Sequence, residues 1–246
     1  MTTYSAVEQR YIEETLPAKI RRACEAADSL ETAAQALADA VFEEFSTSVL
    51  VRVFATVPYR GLPADTQTLV RGLADGIGIA ALIRDWTPVF SLVGTRGTKA
   101  DWNDRKKSAQ HFGLPLVSAA FVAQISMMSR LLDEIGVGSS WLGDGSRSTH
   151  PARNAAGVFH TEDARTTTDA QGRLVVPAQD FVADHDVKTV FGVGGTYPNG
   201  TLVSLLCFTA EHIDRPTAER YLPLLLAFRS NTLQAVDTER LFRGAA

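Results

Sequence analysis

Residues 191–200 read FGVGGTYPNG and run on into TLVSLLCF. Four glycines in ten positions suit either a phosphate-cradling loop or a tight turn in a sheet. A dinucleotide loop needs GxGxxG between a strand and the start of a helix. Gly192 and Gly194 match the first two positions, but Tyr197 stands at the third, and a strand-like apolar run follows. Without a helix N-terminus nothing there holds a phosphate. The chain also contains no GxxxxGK(S/T).

The hairpin reading fits residue by residue. Pro198 presets φ for the first inner position of a type I turn, Asn199 suits the second, and Gly200 can take the left-handed conformation that follows. A three-residue loop of this kind pairs Tyr197 with Thr201. Counting back, Gly195 faces Val203, Gly194 faces Ser204, Val193 faces Leu205, Gly192 faces Leu206 and Phe191 faces Cys207. Strand side chains alternate, so Phe191, Val193, Val203, Leu205 and Cys207 form one apolar face. Gly192, Gly194, Ser204, Leu206 and Phe208 form the other. Glycine inside a strand weakens it, so this bare face needs a reason. Either a helix backbone packs close to it, or it floors a cavity.

Outward from the hairpin, SVLVRVFATVP (48–58) is the clearest strand. Val49, Val51, Val53, Ala55 and Val57 fall on one face, with Leu50, Arg52, Phe54 and Thr56 on the other. Residues 87–97 and VFHTED (158–163) read as further strands. Residues 5–27 read as a helix. A second starts at DSLE (28–31), where Asp28 and Glu31 have capping-box spacing. Residues 66–78 read as a short helix, 115–136 as one long amphipathic helix stopped by Gly136, and 177–186 as a short one. A last helix spans 216–242, kinked or delayed by Pro223. Adjacent strands without long intervening helices predict a largely antiparallel sheet flanked by helices, an α+β fold. Residues 1–27 are read as an N-terminal helical extension and 28–242 as a single domain.

The chain has 246 residues, 45% hydrophobic and 21% charged, with a net charge of −4. That length supports a substantial core without staples. The charge gives no basic excess to attract nucleic acid or an anionic membrane. No apolar signal region opens the sequence, no segment has the length of a membrane helix, and the expected location is cytoplasmic. Cys24 and Cys207 stand apart, outside any CxxC pair, and read as small apolar fillers.

The segment HDVKTVFGVGGTYPNGTLVSLLCFTAEHIDRPTAERYLPLLLAF (185–228) resembles the C-terminal half of a GAF domain. DSLETAAQALADAVFEEFSTSVLVRVFA (28–55) resembles that family's opening helix and first strand. The likeness covers roughly 28–240 and rests on element order and apolar pattern. It implies a central antiparallel sheet of five or six strands. First and last helices lie on one face, where they often form a homodimer interface, and pocket-forming loops and short helices lie on the other. It implies a small-molecule sensor in signal transduction, coupled to an output module such as a histidine kinase. The chain departs from known subfamilies: it lacks a chromophore-bearing cysteine in its middle, the NKFDE signature of cyclic-nucleotide members, and the cysteines of the free methionine sulfoxide reductases. Ligand and cofactor therefore stay open.

No GxSxG elbow or nucleophile–histidine spacing marks a catalytic site. The reading is a non-enzymatic sensor, with an enzyme in the same pocket or a ligand-free dimerisation module as alternatives. The expected ligand-binding residues are Arg52 and Phe54 on the first strand, Gly192, Gly194 and Ser204 on the hairpin, and His160, Asp163, Arg165 and Gln179 on 159–181. His160 with Glu162, and Asp184, His185 and Asp186, lack a metal-ligand spacing and are read as polar strand or loop ends. His111 and His212 read as surface positions, and His150 or His160 as remote haem ligands. The basic loop 96–107 carries Trp102, an indole either tucked back as a lid or offered to a partner.

Overall fold

The computed structural model describes residues 2–107, 113–142 and 151–244. Six strands, β1 (Ser48–Pro58), β2 (Pro88–Gly97), β3 (Gly113–Pro115), β4 (Ala156–Thr161), β5 (Thr189–Thr196) and β6 (Leu202–Thr209), form one sheet. Their order is β3-β2-β1-β6-β5-β4, antiparallel throughout. The hairpin has the register that side-chain alternation requires, from Phe191 opposite Cys207 to Gly195 opposite Val203. The Tyr197 N–H donates to Thr201 O, and Gly200 has φ +87°.

Eight α-helices flank the sheet among the described residues: α1 (Leu16–Cys24), α2 (Leu30–Glu44), α3 (Ala64–Gly76), α4 (Ala119–Val122), α5 (Ser126–Glu134), α6 (Gln179–Asp184), α7 (Arg215–Glu219) and α8 (Leu222–Asp237). One face carries α1, α2 and α8 over Val51, Val53, Val193, Val203 and Leu205. There α2 lies so close that a Cβ on Gly94 would sit 2.4 Å from the Ala34 carbonyl. The opposite face is roofed by α4, α5, α6 and residues 137–142. All of β1 but Pro58 is buried, as a strand covered on both sides must be.

The N-terminal segment packs into the same cluster as the helix face. Tyr4, Ile12, Leu16 and Ile20 are fully buried, and the Tyr4 ring stacks on Phe45 at 4.0 Å. Among the described residues no helix is long and apolar enough to cross a membrane.

Three local expectations are corrected. The N-cap of α2 is Ser29, whose side chain accepts the Thr32 N–H, so Asp28 and Glu31 do not form the capping box. Residues 115–136 are not one helix: β3 takes 113–115, and the rest divides into α4 and α5. The Arg173 guanidinium donates to the carbonyls of Ala123 and Gln124, satisfying backbone groups that a continuous helix would have bonded internally. The last helix is interrupted just before Pro223, as its missing N–H leads one to expect, and the correction is at its end, where regular turns stop at Asp237 rather than 242.

Candidate functional site

The strand pairing places two cross-strand rows on the roofed face. Arg52, Leu206, Gly192 and Phe159 form one; Phe54, Ser204, Gly194 and Gly157 form the next. Five of the expected residues, Arg52, Phe54, Gly192, Gly194 and Ser204, are thus brought together on one surface.

Arg52 is the unusual member. Alternation along β1 turns its guanidinium into an apolar layer with Leu50, Phe54 and Leu206, where it is only 8% exposed. Burial pulls its pKa down to about 10 from the usual 12.5, because the charged form loses hydration there. Beside it Phe54 stacks on Phe90, with ring centroids 4.8 Å apart and planes 10° from parallel. Ser204 is fully buried, and its Oγ makes no hydrogen bond among the described residues. The hydroxyls of Ser126 and Thr161 are in the same condition. Buried hydroxyls are ordinarily bonded, so these three are exceptions.

The glycines have a different explanation. A Cβ on Gly194 would lie 3.1 Å from Ile135 Cγ2, and one on Gly157 would lie 2.5 Å from Glu134 O. The C-terminal end of α5 therefore packs directly on this pair. Gly192 is hemmed in by its own sheet: a Cβ there would meet Leu205 O at 2.3 Å. Of the two explanations for the bare face, close packing applies: the Ile135 side chain lies over Gly194, and helix backbone lies over its neighbour Gly157.

The remaining expected residues lie elsewhere. His160 stands opposite Phe191, so its ring turns to the face of α1, α2 and α8 and away from Arg52. Its Nε2 lies 2.7 Å from Ile213 O. Its N–H donates to Glu134 Oε2 at 2.7 Å and its carbonyl accepts from Arg130 at 2.8 Å. Glu134 Oε1 also accepts from Arg130 and Arg215. With Glu162, Thr167 and Asp214, these arginines and His160 line an open cleft of about 420 Å³ at the sheet edge. Asp163 accepts the Arg165 N–H, which holds its carboxyl below the usual range, in a turn that Thr167 completes. Arg165 pairs with Asp186 at 2.9 Å, both exposed. The Gln179 amide donates to the carbonyls of Ala164 and Val176, tying the loop to α6.

Trp102 is tucked in. It lies across Gly97 and meets Phe181 and His185 edge-on at 5.4 and 4.8 Å, and Phe181 in turn meets Phe208. This aromatic chain roofs the row next to Arg52. Among the described residues no three His, Cys, Asp or Glu side chains converge to hold a metal. His212 is exposed, and His111 and His150 lie outside the described residues. Sequence reasoning missed Glu134, Arg130 and Arg215; the i, i+4 pair Arg130–Glu134 was its only available signal.

No protein-family profile matches the chain, and no curated protein matches it in sequence. Solved structures do resemble it. The GAF domain of a phosphoenolpyruvate-protein phosphotransferase from Coxiella burnetii superposes with a TM-score of 0.50 at 11% identity, covering 96% of this chain and 100% of that one. A free methionine-R-sulfoxide reductase from Neisseria meningitidis gives 0.48 at 10% identity, over 97% and 98%. The chromophore-binding domain of an R. palustris bacteriophytochrome gives 0.46 at 9% identity. This chain covers 62% of the latter's length, and 91% of this chain is matched. At these identities the likeness is one of fold: the sheet and its flanking helices are those of a GAF domain.

Proposed function

We propose that this GAF-fold chain is a sensory or regulatory domain that binds a small anionic molecule on the roofed face of its sheet. The observation that carries the reading is Arg52: a guanidinium buried in an apolar layer, one row from the buried, unbonded hydroxyl of Ser204. A guanidinium set in an apolar layer is a directional donor whose charge-assisted hydrogen bonds are strengthened by the low surrounding polarity. A carboxylate or phosphate group would take the guanidinium, with Phe54 and Phe90 giving an aromatic wall. Burial raises the thiol pKa values of Cys24 to about 11 and of Cys207 to about 12, which argues against thiol chemistry. Signalling would run through α1 and α8, which pack along each other, to a homodimer partner or an output module such as a histidine kinase.

A thermal-shift series with small carboxylates and phosphates tests the reading. A binder raises the melting temperature of the wild type in a concentration-dependent way and leaves Arg52→Met unshifted. Equal shifts in both proteins would remove Arg52 from the site.

A second reading, a ligand-free module filled by its own side chains, is favoured by Ile135 over Gly194. It expects no shift with any anion.

A further inference from the structure

Beyond Ser91, which pairs with Gly113, no strand among the described residues lies on the outer side of β2. Side chains cover that edge instead. The Gln35 amide bonds both the N–H and the C=O of Thr95, at 3.1 and 2.9 Å. Asn103 Oδ1 accepts the Gly97 N–H at 2.8 Å, and the Thr95 hydroxyl donates to Trp102 O at 2.9 Å. Residues 98–107 thereby wrap around the sheet edge. Trp102 ends up on the roofed face against Phe181 and His185, and Arg105 ends up on the helix face.

Arg105 is 7% exposed and forms an ion pair with Glu31 in the first turn of α2, with its guanidinium over the Phe242 ring at 4.9 Å. The other Glu31 oxygen accepts the Arg243 N–H at 2.8 Å. The free N–H groups of Leu30 and Glu31 donate to the carbonyls of Arg240 and Leu241, at 2.9 Å each. After α8 the chain turns back at Glu239, with φ +56°, and buries Leu241 and Phe242. One carboxylate, Glu31, is thus shared between the wrapped segment and the segment that follows the last helix.

We propose that residues 98–107 are a mechanical strap: the position of Trp102 on the pocket roof sets whether the 238–243 segment stays docked on the start of α2. The reasons are geometric. Trp102 and Arg105 are three residues apart, and the short 3₁₀ turn Ala100–Asn103 and the hydrogen bonds to Thr95 and Gly97 hold the first of them. The indole cannot leave the roof without dragging Arg105 away from Glu31. That withdrawal removes one partner of a buried ion pair and uncovers the Phe242 ring, and the remaining docking bonds are backbone groups that water can satisfy. The exit of the last helix is then released. This regulation rests on the proposed ligand site at the roofed face, but the coupling itself needs no ligand to be measured.

The test uses a protein in which Trp102 is the sole tryptophan (Trp86→Phe, Trp141→Phe), and two readouts: Trp102 emission and hydrogen exchange of residues 238–243. The expected results are reciprocal. Glu31→Gln speeds exchange of the segment by about tenfold or more and shifts Trp102 emission to the red, 71 positions away in sequence. Trp102→Ala, made in the wild-type background, speeds the same exchange to a similar extent. Lys106→Ala, on the same segment, breaks only an exposed pair with Asp65 of α3 and changes neither readout. If Glu31→Gln frees the segment while Trp102 emission stays fixed, or if Trp102→Ala leaves the segment protected, the strap is overturned. A red shift in Lys106→Ala equal to that of Glu31→Gln would overturn it too, by making the effect general loosening. Failure of the anion titration with success here would overturn the ligand reading alone.

Discussion

Ile135 stands over Gly194: a side-chain carbon added to that glycine would lie 3.1 Å from Ile135 Cγ2 and 3.4 Å from its Cδ1. One strand over, the same addition at Gly157 would meet backbone, Glu134 O at 2.5 Å and Ile135 Cα at 2.7 Å. A side chain can rotate away and a helix backbone cannot. Gly157→Ala is therefore expected to cost about 3 kcal/mol and Gly194→Ala about 1 kcal/mol. Urea unfolding of both variants measures the difference; the reverse order would mean that α5 does not sit on β4 as described.

Gln35 is worth more than its position on a helix suggests. Its amide is the partner of both backbone groups of Thr95, a residue with no exposed surface. Removing it leaves a buried donor and acceptor unmet, which costs about 1–3 kcal/mol. Gln35→Ala should show that loss in denaturant unfolding and faster hydrogen exchange at Thr95. An unchanged exchange rate would show that the edge is closed some other way.

His160 ties β4 to the loop before α7 through the contact of its Nε2 with Ile213 O. His160→Ala is expected to destabilise the fold by about 1–2 kcal/mol, to raise exchange across residues 211–219, and to leave any anion affinity that depends on Arg52 unaltered. Lost affinity with unaltered exchange would put the imidazole in the ligand site.

Alkaline pH should weaken the fold before it affects most proteins of this size. Burial raises the thiols of Cys24 and Cys207 from 9.0 to about 11 and about 12. It also raises the phenols of Tyr4, Tyr197 and Tyr221. The unfolded chain gives up these protons first. The contribution is thus fully present below about pH 9 and declines as pH rises toward about 12. Near pH 10 the unfolding free energy should fall faster than the one-proton slope of about 1.4 kcal/mol per pH unit. The slope should flatten in Cys207→Ala, and native protein at pH 8 should leave a thiol reagent unreacted.

Whatever depends on neighbours in sequence could be read before the structure. The turn at Pro198–Gly200 follows from local backbone preference, and the register from Phe191 to Cys207 follows from the turn. The inward turn of Arg52 follows from its alternation with Val51 and Val53. What depends on distant partners could not. The face His160 takes is decided by the register of β4 on β5, across a long connection with no turn chemistry to set it. The division between α4 and α5 depends on Arg173, some fifty residues away. Why Gly157 and Gly194 are bare depends on where α5 lands. The loop 96–107 read as charged, with Trp102 either tucked back or offered out; its tie to Glu31 could not be read, since its ion pair and ring contacts come from four separate segments.

On the proposed function, Arg52 serves a small anion on the roofed face. Native mass spectrometry of the protein as purified, side by side with Arg52→Met, tests it most directly. The expected result is a wild-type species carrying a small acidic molecule in one-to-one ratio, absent from the variant, which folds and unfolds with comparable cooperativity. A wild type that flies bare and stays unshifted by every carboxylate and phosphate tried, or a molecule retained equally by Arg52→Met, would contradict it.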